Sequence, residues 1–342
     1  MSNSLTITQI AEAAGVSTAT VDRVLNNRPG VNPATVQKVR DAVSALGGGA
    51  PVRGRPRSTS NYRFAFVLPA TRRGFFDAVD RVVAQAAGDF RHQHITEVTH
   101  RLPGDGQQFA AELMKLSDLD GIALLAPDVP PVKLAINELV RAGVHVVTLF
   151  SDVPGSLRET AIGADNRAAG RTAGLLTGRA LPGADAVCAL LSPSTRYAAE
   201  IDRRIGFQQV LEERFPGVRV LRAFELPESD DEAHAYVLSA LAPDAAGGPL
   251  GAVYNVGPGS FGVARALADL GHAGGLVFTA HDLLEVHRSM LISGSLAYVL
   301  HQDVHYAVTT AARVLRALCD GLRGALSVVH PPIEIATVEN LA

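Results

Sequence analysis

Residues 6–47 read TITQIAEAAGVSTATVDRVLNNRPGVNPATVQKVRDAVSALG. This stretch carries three helical patterns, with apolar side chains at positions 7, 10, 11 and 14, then 21, 24 and 25, then 36, 39, 43 and 46. Gly15 gives the backbone the freedom to turn after the first helix, and Ser17 and Asn32 are suitable caps for the second and third helices. We therefore expect a small all-α domain whose first two helices form a helix-turn-helix.

The charge of this region favours a polyanionic partner. Residues 1–60 carry seven basic and three acidic side chains, a formal charge of +4, so the rest of the chain must carry −7 to reach the total of −3. A helix-turn-helix lays its second helix in the major groove of DNA. A basic head on a larger acidic body is therefore typical of a chain whose head binds double-stranded DNA.

The same stretch resembles the DNA-binding headpiece of the lactose-repressor (LacI/GalR) family of transcription regulators. The resemblance implies that Thr18, Ala19 and Arg23 face base edges, and a guanidinium can bond guanine O6 and N7 together. Polar residues beside them would hold phosphates and fix the register on the duplex. The predicted DNA-binding positions of this domain are Thr6, Ser17, Thr18, Ala19, Thr20, Arg23 and Asn26.

The segment after the headpiece departs from the family. Many members carry a short helix here whose leucine enters the minor groove, whereas residues 47–61 read GGGAPVRGRPRSTSN and contain no leucine. The run at Arg53, Arg55 and Arg57 resembles an AT-hook, which inserts into a narrow A·T minor groove. The alternative is a flexible basic linker that touches phosphates without sequence preference. Either interpretation places these arginines on DNA.

From residue 62 onward, apolar runs of strand length alternate with helical patterns, which predicts parallel sheets with crossover helices. The first series has strands at 64–69, 121–127 and 144–150, with helices at about 75–89 and 131–142. A second series starts near Gly163, with strands at 185–192, 218–224, 250–256, 276–281 and 295–302. Two α/β lobes suit a clamp that closes on a ligand. The resemblance agrees, because the family's body is similar to type I periplasmic sugar-binding proteins.

The predicted fold class is thus a small all-α helix-turn-helix headpiece followed by an α/β, two-lobed, periplasmic-binding-protein-like domain. The expected domains are the headpiece at 1–48, a basic hinge or linker at 49–61, and an effector-binding and dimerisation domain at 62–342. Within the last domain we expect lobe 1 at about 62–162 and 303–326, and lobe 2 at about 163–302 and 327–342.

Ligands of such folds lie beyond the carboxyl ends of the strands. Carboxylates, amides and an arginine that converge there offer matched donors and acceptors to a sugar or polyol. The resemblance supports Arg203, Asp165, Asp282 and Gln302 as hydroxyl-binding residues. The predicted effector-binding set is Phe75, Phe76, Asp77, Asp128, Ser151, Asp152, Asp165, Asn166, Arg203, Asn255, His281, Asp282 and Gln302.

A competing motif lies in the second series. Gly257, Gly259 and Gly262 spell GxGxxG between a predicted strand and a helix, and Asp282 follows twenty residues after Gly262. This pattern matches a dinucleotide fingerprint and would indicate an NAD-dependent dehydrogenase. No catalytic acid, base or nucleophile pattern accompanies it, so we expect no enzyme and no cofactor. A sugar-binding transport protein is the other alternative, although it has no use for residues 1–60.

Other features bound the class of protein. Cys188 and Cys319 have no metal-ligand spacing, and the eleven histidines show no HExxH pattern, so we expect no metal site. No apolar run approaches the length of a membrane span, and MSNSLTITQI lacks the pattern of a secretory signal. We therefore expect a cytoplasmic, homodimeric regulator, usually a repressor in this family, whose affinity for a near-palindromic operator is controlled by a sugar or sugar-like effector.

Overall fold

The computed structural model describes residues 6–25, 30–46, 61–71, 74–104, 106–181, 186–192, 196–242, 248–322 and 328–341. The chain divides into two units, residues 1–59 and residues 60–342. The described residues of the first unit form three helices, α1 (Ile7–Ala14), α2 (Thr18–Leu25) and α3 (Pro33–Ala45). They share a core in which Ile10, Val21 and Val39 are completely buried.

The ends of these helices lie close to where their residue types predict. Thr6 caps α1 in a capping box with Gln9, and Gly15 ends the helix with a φ of 63°. Leu46, which was expected on the inner face of the third helix, is instead 41% exposed. The reason is that α3 ends at Ala45, so the helical period no longer directs the next side chain toward the core.

The second unit begins with β1 (Tyr62–Pro69), α4 (Gly74–His92), β2 (Ile95–Leu102), α5 (Gly106–Met114), β3 (Gly121–Leu124), α6 (Pro130–Arg141), β4 (His145–Leu149) and β5 (Thr160–Ile162). It continues with α7 (Asn166–Ala180), β6 (Val187–Ser192), α8 (Ala198–Arg214), β7 (Arg219–Glu225), α9 (Asp230–Ala240), β8 (Leu250–Asn255), α10 (Ser260–Asp269), β9 (Val277–His281), α11 (Glu285–Ile292), β10 (Tyr298–His301), α12 (Val304–Cys319), β11 (Glu334–Ala336) and a 3₁₀ turn at Val338–Asn340.

Two sheets organise this unit into two lobes. The sheet of lobe 1 has the order β2-β1-β3-β4-β5 and is parallel throughout. The sheet of lobe 2 has the order β11-β10-β9-β8-β6-β7, in which β11 alone runs antiparallel to its neighbour among the described strands. The chain crosses between the lobes after β5, after β10 and after α12, because α12 packs on the sheet of lobe 1.

Each sheet is covered by helices on both faces, as expected for parallel strands. Along β1, Phe64, Phe66 and Leu68 join the core under α4 and α12, whereas Ala65 and Val67 join the core under α5 and α6. In lobe 2, α9, α10 and α11 cover one face and α7 and α8 cover the other. The predicted α/β, two-lobed fold class is confirmed.

The sequence patterns miss several elements. They predict no strand at β2, β5 or β11 and no helix at α5. β2 lies at a sheet edge, and only its first and last residues, Ile95 and Leu102, are buried, so it lacks the continuous apolar run of a central strand. β5 and β11 have three residues each, which is too short for a periodic signal. The strands predicted at 64–69, 121–127 and 144–150 are therefore not the whole of the first sheet, because β5 pairs with the last of them.

Candidate functional site

The outer face of α2 carries the three residues predicted to read base edges. Thr18, Ala19 and Arg23 are exposed, whereas Val21 and Val24 are buried against the other two helices. A helical period of 3.6 residues separates these two faces. The first unit therefore presents small side chains and one guanidinium on a short exposed helix.

Hydroxyl groups surround the beginning of this helix. Ser17 Oγ accepts a hydrogen bond of 3.1 Å from the Thr20 backbone N–H, and the two hydroxyl oxygens lie 2.9 Å apart. Thr6 Oγ1 accepts from the Gln9 N–H at the start of α1. Hydroxyls and helix N-termini of this kind suit phosphate groups. The remaining predicted DNA-binding residues, Asn26, Arg53, Arg55 and Arg57, lie outside the described residues.

A cavity of about 270 Å³ lies between the lobes of the second unit, at the carboxyl ends of the strands. Lobe 1 lines it with residues that follow β1, β3 and β4, and lobe 2 lines it with the first turns of α8 and with residues that follow β7, β8, β9 and β10. Seven of the predicted effector-binding residues meet in this lining: Phe75, Phe76, Ser151, Arg203, His281, Asp282 and Gln302.

The polar part of the cavity is held in place by buried hydrogen bonds. Arg203 is 6% exposed, and it donates through Nε to Asn166 Oδ1 at 2.8 Å and through Nη1 to Val256 O at 3.2 Å. Gln302 is 4% exposed and donates through Nε2 to Asp282 Oδ1 at 2.9 Å. These bonds fix the guanidinium, the amide and the carboxylate before any ligand arrives, which reduces the entropy that binding must overcome.

Two histidines extend this polar part. His281 Nε2 shares a hydrogen bond of 2.6 Å with the Tyr254 hydroxyl, and His287 Nδ1 donates to Asp282 O. Burial, together with the positive charge of Arg203, holds the pKa of His281 well below its ordinary value of 6.5. Burial also lowers the pKa of His287, against the attraction of Asp282. Both imidazoles are therefore neutral near pH 7 and can donate and accept hydrogen bonds.

Lobe 1 supplies an aromatic wall. The Phe75 and Phe150 rings meet edge to face with centroids 5.0 Å apart, and Phe76 lies beside them. The Arg101 guanidinium lies 5.7 Å from the centroid of the Phe76 ring. Such rings can pack against the C–H faces of a sugar, so the cavity combines an apolar wall with a polar base.

The backbone is strained at one point on each side of the cavity. Phe150 has a φ of 60° and Asp282 a φ of 63°, which are left-handed values that side chains rarely adopt. Gly163 leaves room for the first of these residues, because a Cβ there would lie 3.0 Å from Phe150 Cα. Strain of this kind collects at functional sites, where it aims a side chain that regular structure would direct elsewhere.

The other predicted effector-binding residues lie outside this lining and have structural partners. Asp77 pairs with Arg101 at 2.9 Å, and Asp128 pairs with Lys133 at 2.8 Å. The Asp165 carboxylate caps α7 through the Ala168 N–H.

Asp152 and the two asparagines are likewise engaged by the protein. Burial acts to raise the pKa of the Asp152 carboxyl, but hydrogen bonds from Arg158 and Thr148 outweigh it and hold that pKa below its ordinary value. Asn166 donates to Phe150 O and accepts from Arg203, so it holds the Arg203 side chain in place from outside the lining. Asn255 donates to Gly257 O, Pro258 O and Ser260 Oγ, and these bonds shape the loop that reaches the cavity.

Several lining residues were missed by the sequence argument. Tyr197 is the cap residue of α8 and Glu200 lies in its first turn, one helical turn before Arg203 and on the same face. Glu228 and Asp230 follow β7, so extending the strand-end rule to that strand would have found them. Two further missed polar residues are Ser260 at the start of α10 and His287 on α11.

The GxGxxG loop has a packing explanation. Gly259 precedes α10 with a φ of 84°, a value that favours glycine. A Cβ on Gly262 would lie 1.9 Å from Asp230 O, so the glycine allows α10 to approach the start of α9 closely. The Asp282 carboxylate, which a dinucleotide site would use for ribose, accepts from Gln302. The turn before α10 therefore explains Gly259, and the close contact between α9 and α10 explains Gly262.

The described residues contain neither a metal-binding cluster nor a membrane-spanning helix. No three histidine, cysteine, aspartate or glutamate side chains in this part of the chain are placed to hold one metal ion. None of the described helices is long and apolar enough to cross a bilayer.

The fold and cavity define the second unit as a two-lobed binding protein of the type that encloses a small molecule between its lobes. The chain belongs to the periplasmic binding protein domain family, whose model matches residues 64–323, and residues 6–47 match the model of the lacI family of bacterial regulatory proteins. The resemblance drawn from residues 6–47 is thus confirmed.

The chain is similar to curated transcription regulators over short stretches. The chain is 42% identical over 80 residues to the HTH-type transcriptional regulator MalR of Streptomyces coelicolor, which covers 23% of each protein. It is 50% identical over 46 residues to the maltose regulon regulatory protein MalI of Vibrio furnissii, which covers 14% of this chain and 34% of that one. The aligned part is therefore a minor share of each regulator.

Solved structures are similar over most of the chain. GanP, a glucose-galactose binding protein from Geobacillus stearothermophilus, has a TM-score of 0.73 at 20% identity and covers 83% of this chain and 99% of its own. An ABC transporter solute-binding protein from Burkholderia graminis, in complex with D-arabinose, has a TM-score of 0.75 at 22% identity and covers 82% and 98%. These likenesses show the fold.

Proposed function

We propose that this protein is a sequence-specific, DNA-binding transcription regulator whose operator affinity is controlled by a sugar or sugar-like effector held between the two lobes. The observation that carries the proposal is the union, in one chain, of an exposed lacI-type helix with a two-lobed ligand cavity. Neither part alone indicates a regulator. Together they allow a bound small molecule to affect the binding of DNA.

On the DNA side, α2 enters the major groove and Arg23 bonds a guanine, while Thr18 and Ala19 contact neighbouring bases. Thr6, Ser17 and Thr20 hold phosphates. The protein acts as a homodimer on a near-palindromic operator, because one headpiece reads each half-site. Since the operator is chromosomal DNA, the regulator works in the cytoplasm.

On the effector side, Arg203, Asp282 and Gln302 bind ligand hydroxyls while Phe75 and Phe150 cover an apolar face. The similar solved proteins bind sugars, glucose or galactose in one and D-arabinose in the other, which supports a sugar-like effector. A ligand that binds the closed lobes better than the open lobes shifts the protein toward the closed form. Operator affinity can change by no more than that difference in binding free energy.

A transport-type binding protein is the second candidate, because the similar solved structures include solute-binding proteins of transporters. Residues 6–47 discriminate between the two candidates, since a transport protein has no role for a headpiece. A dehydrogenase is disfavoured because Gly262 has a packing role.

The experiment is selection of duplexes from a random library with the full chain, followed by titration of the selected duplex with and without sugars. We expect a two-fold symmetric consensus, and at least one sugar or polyol that changes the operator Kd. A chain that binds sugars but selects no sequence at low salt would be a transport-type protein. A rise in thermal stability on addition of NADH would favour the dehydrogenase instead.

A further inference from the structure

The charges around the cavity restrict the class of effector. The charged side chains among the described lining residues are four carboxylates and one guanidinium: Glu200, Glu228, Asp230, Asp282 and Arg203. Their formal sum is −3. His281 and His287 add no positive charge near pH 7, because burial keeps both imidazoles neutral. A ligand with its own negative charge would therefore enter a field of the same sign.

Helix N-termini do not reverse this field. The helices α8, α10 and α11 begin at the cavity, and their cap residues Tyr197, Gly259 and Leu284 provide no side-chain cap. Such ends usually attract anions. Here the protein supplies the anions itself. Asp230 Oδ1 accepts from the N–H of Gly262 in the first turn of α10 at 3.1 Å.

At the other two helix ends, the carboxylate belongs to the helix itself. Glu200 lies in the first turn of α8, and Glu285 lies in the first turn of α11. Each of the three positive helix ends is thus matched by a carboxylate of the chain, and a phosphate would have to displace or oppose one of them.

An unpaired acceptor atom in the cavity also favours a ligand that carries hydrogen-bond donors. Gln302 is 4% exposed and lines the cavity, and its Oε1 has no hydrogen-bond partner in the part of the chain that the structure describes. Its Nε2 donates to Asp282 Oδ1, so the amide orientation is fixed and the free atom is an acceptor. A hydroxyl or an ammonium can donate to an amide oxygen, whereas a carboxylate or a dianionic phosphate has no hydrogen to offer.

We infer that the cavity accepts a neutral or amine-bearing polyol and rejects phosphorylated and carboxylated sugars. The inference rests on the proposed function, because it specifies the effector of the same cavity. It depends on the surplus of carboxylates, on their positions at the helix ends and on the unpaired acceptor of Gln302.

The test measures binding to the full chain by calorimetry. The neutral sugars are D-glucose, D-galactose and D-arabinose, and the amino sugars are glucosamine and galactosamine. The anionic compounds are the corresponding monophosphates and the uronic acids of glucose and galactose. We expect at least one neutral or amino sugar to bind, and its phosphate and uronate to bind at least about tenfold more weakly. Equal or tighter binding of a phosphate or uronate overturns the inference and leaves the proposed regulator standing. If no compound binds, the inference and the sugar-like effector are both contradicted, while sequence-specific DNA binding would still distinguish a regulator.

A charge variant tests the cause of the discrimination. Glu228 is an exposed lining residue, so Glu228→Gln removes one negative charge from the rim of the cavity. We expect the ratio between sugar and sugar-phosphate affinities to narrow by roughly fivefold, the effect of one charge pair at contact distance in water. The control is Glu138→Gln, which removes the same charge from the surface of α6, outside the lining. An unchanged ratio in Glu228→Gln, or an equal change in both variants, contradicts the electrostatic cause.

Discussion

Ser151 of lobe 1 caps a helix of lobe 2. Its Oγ accepts a hydrogen bond of 3.2 Å from the backbone N–H of Ala199, in the first turn of α8, and both residues are buried. The neighbouring cap residue, Tyr197, makes no side-chain bond to the helix. The interaction therefore satisfies a helix end only while the two lobes are together.

Ser151→Ala should weaken the closed form. Loss of the cap is expected to lower the free energy of unfolding by about 0.5–2 kcal/mol and to weaken effector binding through easier opening of the lobes. Urea unfolding and calorimetry measure the two effects. The control is Ser156→Ala, which removes a hydroxyl that bonds Val153 O within lobe 1 and should leave effector affinity unchanged. Equal effector affinity in Ser151→Ala and the native protein would contradict the role of this bond.

The buried histidines predict a dependence of stability on pH. Burial lowers the pKa of His281 and of His287 below 6.5, so the unfolded chain binds more protons than the folded chain just below that pH. Stability should therefore be complete above about pH 6.5 and fall as the solution becomes more acidic. The slope contributed by one histidine is at most about 1.4 kcal/mol per pH unit.

Urea unfolding between pH 5.5 and 7.5 checks this sign. His287→Gln should reduce the slope, because one of the two buried bases is removed. His305→Gln, at an exposed position on α12, is the matched control. A slope that is unchanged in His287→Gln but reduced in the control would show that the buried imidazole is not the cause.

Gly262→Ala tests the packing explanation of the glycine loop. The new Cβ would lie 1.9 Å from Asp230 O and 2.9 Å from Asp230 Cα, so the backbones of α9 and α10 must move apart. We expect the free energy of unfolding to fall by about 1–3 kcal/mol or more. Gly88→Ala in α4 has open space around the new methyl group and should raise it by about 0.4–1 kcal/mol. Equal stability of the two variants would mean that this helix contact is not tight.

Replacing arginines of the linker distinguishes insertion of residues 53–57 into a minor groove from nonspecific contact with phosphates. If they insert into a minor groove, a variant with Arg53→Ala and Arg55→Ala should lose more affinity for operators with A·T centres than for operators with G·C centres, because narrow A·T grooves attract arginine. A linker that contacts phosphates would lose affinity equally on both, with a smaller salt slope. Titrations at several salt concentrations separate these outcomes.

The sequence predicted the headpiece helices and most central strands because those elements depend on local patterns. The cap at Thr6, the turn at Gly15 and the continuous apolar run of β1 are all visible in neighbouring residues. The edge strand β2 was missed because its side chains are mostly exposed or half-buried, so its place depends on pairing with β1, which no local pattern records.

The lining of the cavity was only partly predictable, because local patterns locate the ends of strands but not the partners of the side chains there. The strand-end rule finds His281, Asp282 and Gln302, since each directly follows or ends a strand. It cannot show that Asp77 pairs with Arg101 or that Asp152 pairs with Arg158, because the chain alone does not reveal which carboxylates the protein uses for itself. It also omits Tyr197 and Glu200, which reach the cavity from the start of a helix.

The most direct test is the ratio of affinities for the selected duplex and a scrambled duplex at one salt concentration, measured for the native chain, Arg23→Ala and Arg40→Ala. Arg40 lies on α3 and is also exposed, so it controls for the loss of one positive charge. We predict that Arg23→Ala loses about 1–3 kcal/mol on the selected duplex and discriminates less at the guanine it contacts, whereas Arg40→Ala weakens both duplexes equally. Native protein that binds the two duplexes equally, or Arg23→Ala with an unchanged ratio, would contradict reading of bases by α2.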